Sequence, residues 1–90
     1  MHLVWRAKAR ADFRKILDFI ASRSPAGADK IATLVAELTE RLTLHPYIYR
    51  PGRVAGTREA VVHPNYIIVY RVAQDHILIV AVVHARQQYP

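Results

Sequence analysis

Arginines and two aromatic side chain types, histidine and tyrosine, are the residues of this chain best suited to chemistry. Five arginines lie between residues 50 and 86, in and around apolar runs: Arg50, Arg53, Arg58, Arg71 and Arg86. Side chains alternate along a strand, which predicts that His84 and Arg86 share one face of the last strand. A guanidinium cluster near His84 and Tyr89 could bind phosphates, or hold a scissile phosphate while histidine or tyrosine transfers protons.

A second interpretation gives the same arginines a structural task. They could pair with Glu59, Asp75 or the C-terminal carboxylate, or with acidic residues of a partner protein. We expect Glu59 and Asp75 themselves to be solvated charges of a turn or a strand edge rather than general acids. Spacing alone leaves both interpretations open.

The chain shows no metal-binding pattern. Five histidines occur without the spacing of metal ligands, and there is no cysteine. A glycine-rich phosphate loop and a serine nucleophile motif are also missing. We therefore predict no metal site and no cofactor.

Length and charge restrict the class of protein. Ninety residues with 52% hydrophobic content predict one globular domain over residues 1–90. The formal charge is +6, and the excess of lysine and arginine lies in residues 1–24 and 41–90. A small basic domain favours an anionic partner, either nucleic acid or an acidic protein.

No segment resembles a membrane span or a secretion signal. The longest apolar run, Ile77 to Val83, is too short to cross a bilayer, and the N-terminus lacks the apolar core of a signal peptide. We therefore expect a cytoplasmic protein with no membrane partner.

Hydrophobic periodicity predicts two helices after a short first strand, Leu3–Trp5. Apolar residues at three- and four-residue steps predict helices over Ala9–Ser22 and Ala26–Leu44. Ser24-Pro25 is a helix-start signal, and His45-Pro46 should end the second helix. The short break between the helices predicts an antiparallel hairpin.

The second half of the chain predicts three strands joined by tight turns, after a structured loop over Tyr47–Thr57. The predicted strands are Arg58–Val62, Tyr66–Val72 and His76–Arg86. Turns this short make sequential strands antiparallel neighbours. The predicted fold class is α+β, with the order β-α-α-β-β-β and a helix hairpin packed on a small antiparallel sheet.

Both faces of the last two predicted strands are largely apolar. Strict alternation places Leu78, Val80 and Val82 on one face of the last strand, and Ile77, Ile79, Ala81 and Val83 on the other. Two helices cover only one face of a sheet. Either another chain covers the second face, or the sheet curls over a small core made by the Tyr47–Val54 loop and Trp5.

The order of these segments and three motifs resemble the RelE/ParE toxin superfamily of bacterial type II toxin–antitoxin modules. The motifs are HPYIYRPGRV after the second helix, HPNYIIVYRV across a turn and strand, and HARQQYP at the C-terminus. The resemblance covers essentially the whole chain and is closest to the ParE branch. It implies the RelE/ParE-like fold, which agrees with the order of elements predicted from periodicity.

Individual residues separate the two branches of this superfamily. In the superfamily that this chain resembles, RelE-type toxins cut mRNA on the ribosome without a metal ion. They use basic residues of the sheet and a C-terminal tyrosine. Ile67 lies where RelE-type toxins need an arginine. Two further positions that are basic in those toxins fall near Arg58 and Ala60, and only the first of them is basic in this chain. Arg86 matches a RelE arginine, whereas Tyr89 comes early for the final tyrosine. An apolar residue at position 67 would cost about hundredfold in rate or more.

The resemblance therefore favours a ParE-like toxin that inhibits DNA gyrase and blocks replication, rather than an enzyme. It implies these target-binding residues: His84, Arg86, Gln87 and Tyr89. It implies these antitoxin-binding residues: Trp5, Arg58, Ile67 and Arg71. If the chain is an enzyme, it is a metal-independent endoribonuclease with these catalytic residues: Arg58, His84, Arg86 and Tyr89.

The implied partners follow from the same resemblance. A ParD-like antitoxin would neutralise the toxin in a hetero-oligomer, and operator DNA would be reached only through that antitoxin. Such a pair is a growth-inhibiting stability module of a plasmid or chromosome. Two alternatives stay open: a RelE-like ribosome-dependent mRNA interferase, and a non-toxic basic module that binds nucleic acid.

Overall fold

The computed structural model describes residues 1–89 and contains two helices and five strands. The helices are α1 (Ala7–Ala21) and α2 (Pro25–Leu44). The strands are β1 (His2–Trp5), β2 (Arg50–Pro51), β3 (Arg58–His63), β4 (Tyr66–Val72) and β5 (His76–His84). Among these described residues, no helix is long and apolar enough to cross a membrane.

The helix hairpin forms as the sequence predicts. The Ser24 hydroxyl accepts a hydrogen bond from the Gly27 backbone N–H at 3.0 Å, and Pro25 occupies the first helical position. This cap satisfies one N–H group that the first turn of α2 cannot bond internally. Helix α2 ends before His45, as predicted, and α1 begins at Ala7, where helix-favouring residues follow the first strand.

The sheet has the strand order β1-β5-β4-β3-β2 and confirms the predicted meander of β3, β4 and β5. It is mixed rather than purely antiparallel, because β1 pairs in parallel with β5. The helix hairpin follows β1 and supplies part of the long connection that parallel neighbours require. A two-residue strand, β2, also forms inside the predicted loop, where Arg50 pairs with Glu59.

A bulge in β5 changes which residues face the helices. Val69 of β4 is opposite Ala81, but the next residue, Tyr70, is opposite Ile79, so Val80 is the extra residue. One extra residue reverses the alternation on either side of it. The predicted grouping of Val82 with Val80 is therefore wrong, and Val82 packs with Ile79 in the core beneath the helices.

The main core lies between the helices and the sheet. Its buried residues include Leu38 and Leu42 of α2 and Ile68, Tyr70 and Ile77 of the sheet. The Tyr70 hydroxyl donates to the Pro46 carbonyl oxygen at 2.8 Å, which fixes the end of α2 against β4. Burial disfavours the phenolate and raises the pKa of Tyr70 to about 12.

Two aromatic residues that were possible covers for the other sheet face belong to this main core instead. Trp5 stacks on Phe13 with ring centroids 5.6 Å apart, and Tyr49 meets Tyr70 edge-on at 6.4 Å. Both pack on the helix side of the sheet. The interpretation that Trp5 and this loop aromatic close a second core is therefore wrong.

Candidate functional site

The helix-free face of the sheet, meaning the face opposite α1 and α2, carries an apolar strip. The strip consists of Ile67, Val69, Ala81 and Val83, which are between 0% and 4% exposed. Glu59 is opposite Val69, and Val61 is opposite Ile67. The strip therefore runs across β4 and β5. Charged residues of β2, of β3 and of the loop between these two strands lie along one side of the strip.

The tail, meaning residues 85–89, covers this strip. Ala85 and Tyr89 pack against the strip, so the chain buries the centre of the helix-free face by itself. The two covers expected for this face were another chain, or the Tyr47–Val54 loop with Trp5, and neither of them is the tail. Val61, at the side of the strip, stays 51% exposed.

A short turn after β5 starts the tail. The Ala85 N–H donates to the Asn65 carbonyl at 2.7 Å, and the Gln87 N–H donates to the His84 carbonyl at 2.9 Å. The Arg86 N–H donates to Nδ1 of His84 at 3.1 Å. These bonds end β5 at His84 rather than at Arg86, so the predicted shared strand face of these two residues is wrong.

Glu59 organises the charged side of the helix-free face. Its carboxylate is 4% exposed and accepts from Arg50 Nε and Nη2 at 3.2 and 3.1 Å, and from the Arg53 backbone N–H at 3.1 Å. Nη1 of Arg53 donates to the Tyr89 carbonyl oxygen at 3.2 Å. One buried carboxylate thus fixes the loop after β2, and an arginine of that loop holds the tail.

The burial of Glu59 corrects the expectation of a solvated charge. A sequence signal for it exists, because Glu59 directly precedes the apolar residues Ala60 and Val61 in a strand. Pairing with Arg50 and Arg53 confirms the structural interpretation for two of the arginines. Asp75 is exposed as expected, and the hydrogen bond from His76 lowers the pKa of its carboxyl group.

Arg71 also lies on the helix-free face, on the same side of β4 as Ile67 and Val69. Its Nη1 donates to the Ala55 carbonyl at 3.4 Å and passes over Gly56. Gly56 has φ of +82°, a conformation that favours glycine, and a Cβ there would meet Nη1 of Arg71 at 2.6 Å. Arg71 is therefore engaged with the loop before β3.

His84 lies on the opposite side of the sheet from Tyr89. It lines a cavity of about 300 Å³ under α1, together with Lys15, Phe19 and Gln87. Tyr66 meets His84 edge-on with ring centroids 5.5 Å apart. The structure therefore separates the proposed cluster: His84 is on the helix side, Tyr89 covers the strip, and the exposed Arg86 lies in the turn between them.

The residues predicted to bind the antitoxin do not form one surface. Trp5 belongs to the main core, and Arg58 donates to the Tyr49 carbonyl at 2.8 Å on the helix side. Ile67 is 4% exposed beneath the tail, and Arg71 holds the loop before β3. Contact between Ile67 and a partner would require the tail to move away.

Few cations of the helix-free face are free of contacts within the chain. Residues 1–89 contain no group of three or more histidine, cysteine or acidic side chains placed to bind a metal ion. Two of the cations, Arg50 and Arg53, are occupied by Glu59. The arrangement presents an exposed arginine, Arg86, beside a packed apolar segment.

Comparisons with known proteins identify similar chains. The family described as ParE toxin of type II toxin–antitoxin system, parDE, matches residues 3–89. "Toxin RelE2" of Caulobacter vibrioides is 36% identical over 85 residues, covering 92% of this chain and 93% of that protein. Protein Y4kP of Sinorhizobium fredii is 33% identical, covering 96% and 90%.

A solved structure shares both the fold and part of the sequence. It is described as the chromosomal ParDE TA system from P. aeruginosa and superimposes with a TM-score of 0.80. The sequence identity is 26%, over 93% of this chain and 95% of that chain. The similarity therefore covers the sheet, the helix hairpin and the connections between them.

Proposed function

The chain belongs to the ParE toxin family of type II toxin–antitoxin systems, and we propose that it inhibits DNA gyrase. In this proposal a cognate ParD-like antitoxin neutralises it. The inhibition blocks DNA replication and stops growth until the antitoxin binds. Both proteins act in the cytoplasm, where gyrase works, and operator DNA is bound through the antitoxin.

The observation that carries the proposal is the environment of Ile67. The resemblance to RelE-type ribonucleases requires an arginine at this position, but the chain has an apolar side chain that is 4% exposed. Cleavage of RNA develops negative charge on the phosphorus oxygens, and donors must already point at that charge. Ile67 contributes no donor, and its neighbours Val69, Ala81 and Val83 are also apolar. A toxin that acts by binding a protein target fits this face better.

Tail residues are the proposed contacts with gyrase. Arg86 and Gln87 are exposed, while His84 and Tyr89 are partly buried on opposite sides of the sheet. We assign direct contacts with gyrase to Arg86 and Gln87. His84 and Tyr89 hold the tail in the conformation that presents them. Arginine is favoured in such a contact, because its planar guanidinium makes several directed hydrogen bonds.

Charge supports an acidic antitoxin segment as the second partner. The chain has a formal charge of +6, and complementary charge accelerates association and selects the partner. The P. aeruginosa relative is described as part of a ParDE system. By analogy, we propose a ParD-like partner that wraps the chain, contacting Trp5 and Arg58 on the helix side and Arg71 on the helix-free face. It reaches Ile67 only when the tail is displaced.

A supercoiling assay tests the gyrase proposal. Gyrase, relaxed plasmid and ATP are incubated with increasing amounts of the purified full chain. We expect loss of supercoiled product or accumulation of a trapped cleavage complex, and recovery when the antitoxin encoded beside the toxin is added first. Unchanged supercoiling at a large excess of folded toxin would reject gyrase as the target.

One observation favours a second candidate, a ribosome-dependent mRNA interferase. The Caulobacter relative that is 36% identical carries the name "Toxin RelE2". Under this alternative, Arg58, His84, Arg86 and Tyr89 would be the catalytic set. Primer extension on mRNA from induced cells would then show cuts at codon-spaced positions. Intact mRNA together with growth arrest would exclude it.

A further inference from the structure

The outer surface of α1 carries a basic trough. It is lined by Ala7, Arg10, Ala11, Arg14, Lys15 and Asp18. The helical repeat places the two alanines along its floor, with Arg10 and Arg14 on one side and Lys15 on the other. Three cations against one carboxylate give these lining residues a net charge of +2.

The trough cations are available to a partner. Lys8, just outside the trough, is paired with Asp12 at 3.1 Å. In contrast, Arg10, Arg14 and Lys15 are exposed, and none has an ion-pair partner within the region that the structure describes, residues 1–89. Arg10 and Arg14 are like charges at positions i and i+4 of the helix and repel each other, and a bound anion would relieve that repulsion.

The chemistry of the trough fits phosphates better than a protein surface. Arg10 and Arg14 are one helical turn apart, about 6 Å, so each guanidinium can contact a different phosphate. The alanine floor lets a backbone approach closely. Protein interfaces usually bury large apolar or aromatic anchors at their centre, and the trough lining has none.

We propose that this trough binds the phosphodiester backbone of a duplex nucleic acid. The site goes beyond the proposed function, in which the chain reaches operator DNA only through the antitoxin. Helix α1 packs on the side of the sheet opposite the strip that the tail covers. A duplex at the trough therefore leaves the tail free, and binding at the trough does not depend on gyrase.

Salt-dependent binding to a labelled duplex of random sequence tests the trough. The full chain is compared with the variant Arg10→Ala/Arg14→Ala/Lys15→Ala by fluorescence anisotropy. The control is Arg23→Ala/Lys30→Ala/Arg41→Ala, which also lowers the formal charge from +6 to +3 but changes exposed residues outside the trough. Alanine favours helix at the exposed helical positions. Arg23 lies in the turn between the helices and over the Phe19 ring, and Arg41 bonds the Tyr49 hydroxyl, so thermal unfolding verifies that both variants fold.

The expected result is a selective loss in the trough variant. Its affinity at low salt falls by about tenfold or more, and the slope of log K against log[salt] decreases in magnitude by about 2 to 3. The control variant changes the slope by less than about 1. Parallel titrations with DNA and RNA duplexes of the same sequence identify which duplex the trough prefers.

Two outcomes would overturn the inference. Equal losses in the trough and control variants would mean that only net charge attracts the duplex. Binding to polyglutamate but to neither duplex would mean that the trough recognises an acidic protein. Both outcomes are read from binding alone, so they do not depend on whether the chain inhibits gyrase.

Discussion

Arg86 and Tyr89 are three residues apart in the tail but have different surroundings. Arg86 is exposed, and its backbone N–H rather than its side chain is used in the turn with His84. The Tyr89 ring packs on the apolar strip, and its carbonyl accepts from Arg53. At the level of residues, the tail therefore separates an exposed side chain, the proposed contact group, from an anchoring side chain.

Replacing Arg86 with alanine tests the contact group. We expect gyrase inhibition to fall at least about fivefold, since truncating an arginine that is a binding hot spot costs more than about 1 kcal/mol. The midpoint of thermal unfolding should change little, because the Arg86 side chain is exposed. Gln88→Ala, at another exposed tail position, is the matched control for the supercoiling assay. Full inhibition by the arginine variant would remove Arg86 from the target-binding set.

Replacing Tyr70 with phenylalanine tests the hydrogen bond that joins β4 to the end of α2. Losing the bond to Pro46 should lower the free energy of unfolding at pH 7 by about 1 kcal/mol. The wild-type phenol has a pKa of about 12, against an ordinary value of 10.0. Its proton is thus lost first from the unfolded chain, and stability declines as the pH rises from 10 to 12.

The phenylalanine variant lacks this titration, so its free energy of unfolding should decline less between pH 10 and 12. Denaturant unfolding at pH 7 and at alkaline pH measures both effects. Tyr47→Phe is the control, because Tyr47 is 64% exposed. Parallel pH profiles for the Tyr70 variant and the wild type would show that the buried phenol does not govern alkaline stability.

At the level of elements, β5 joins the first strand of the chain to the antiparallel meander. It pairs with β1 on one side and β4 on the other, and its bulge at Val80 directs Val82 toward the helices and Ala81 toward the strip. The helix hairpin supplies the other layer and depends on a sharp start of α2. The helix hairpin therefore depends on a local sequence signal, whereas β5 contributes residues to both faces of the sheet.

Ser24→Ala tests the start of α2. Removing the hydroxyl leaves the Gly27 N–H without its 3.0 Å acceptor and should destabilise the protein by about 1 kcal/mol. Ser24→Asp retains an acceptor and should preserve most of the stability. The midpoint of urea unfolding measures both variants. An alanine variant with the wild-type midpoint would show that the cap contributes nothing.

For the whole molecule, the two faces of the sheet have covers of different thickness. The strip is closed by only a few tail residues, and Val61 beside it is half exposed. The helix side, in contrast, has a continuous core under two helices. The tail is thus the thinner of the two covers.

Deleting residues 86–90 tests the tail as a cover. Loss of Tyr89 should expose the strip, increase binding of the dye ANS and promote self-association, because contiguous apolar surface is rare on soluble monomers. Size-exclusion chromatography with light scattering measures the association. The full-length variant Arg86→Ala/Gln88→Ala keeps Tyr89 and is the control. A monomeric truncated chain without increased ANS binding would show that the tail does not protect the strip.

Much of the fold could be predicted from the sequence because its signals are local. The Ser24-Pro25 start, the His45-Pro46 stop and the tight turns between the strands act through neighbouring backbone groups, so the helix hairpin and the meander were predicted correctly. The family resemblance was equally readable, since the motifs HPNYIIVYRV and HARQQYP stand in the linear sequence. The linear sequence also shows that Ile67, an apolar residue, lies where RelE-type toxins need an arginine.

Other features depend on contacts between residues far apart in the chain. The parallel pairing of β1 with β5 joins residues more than seventy positions apart, and the bulge at Val80 shows only when β5 is aligned with β4. Tail packing on the strip is also a long-range contact, and the burial of Glu59 requires the segment from Arg50 to Arg53 to fold back onto β3. Periodicity reports which residues are apolar, but it does not report which segment covers them. That is why the residues of the tail were recognisable in the sequence, while their separation onto two sides of the sheet required the folded chain.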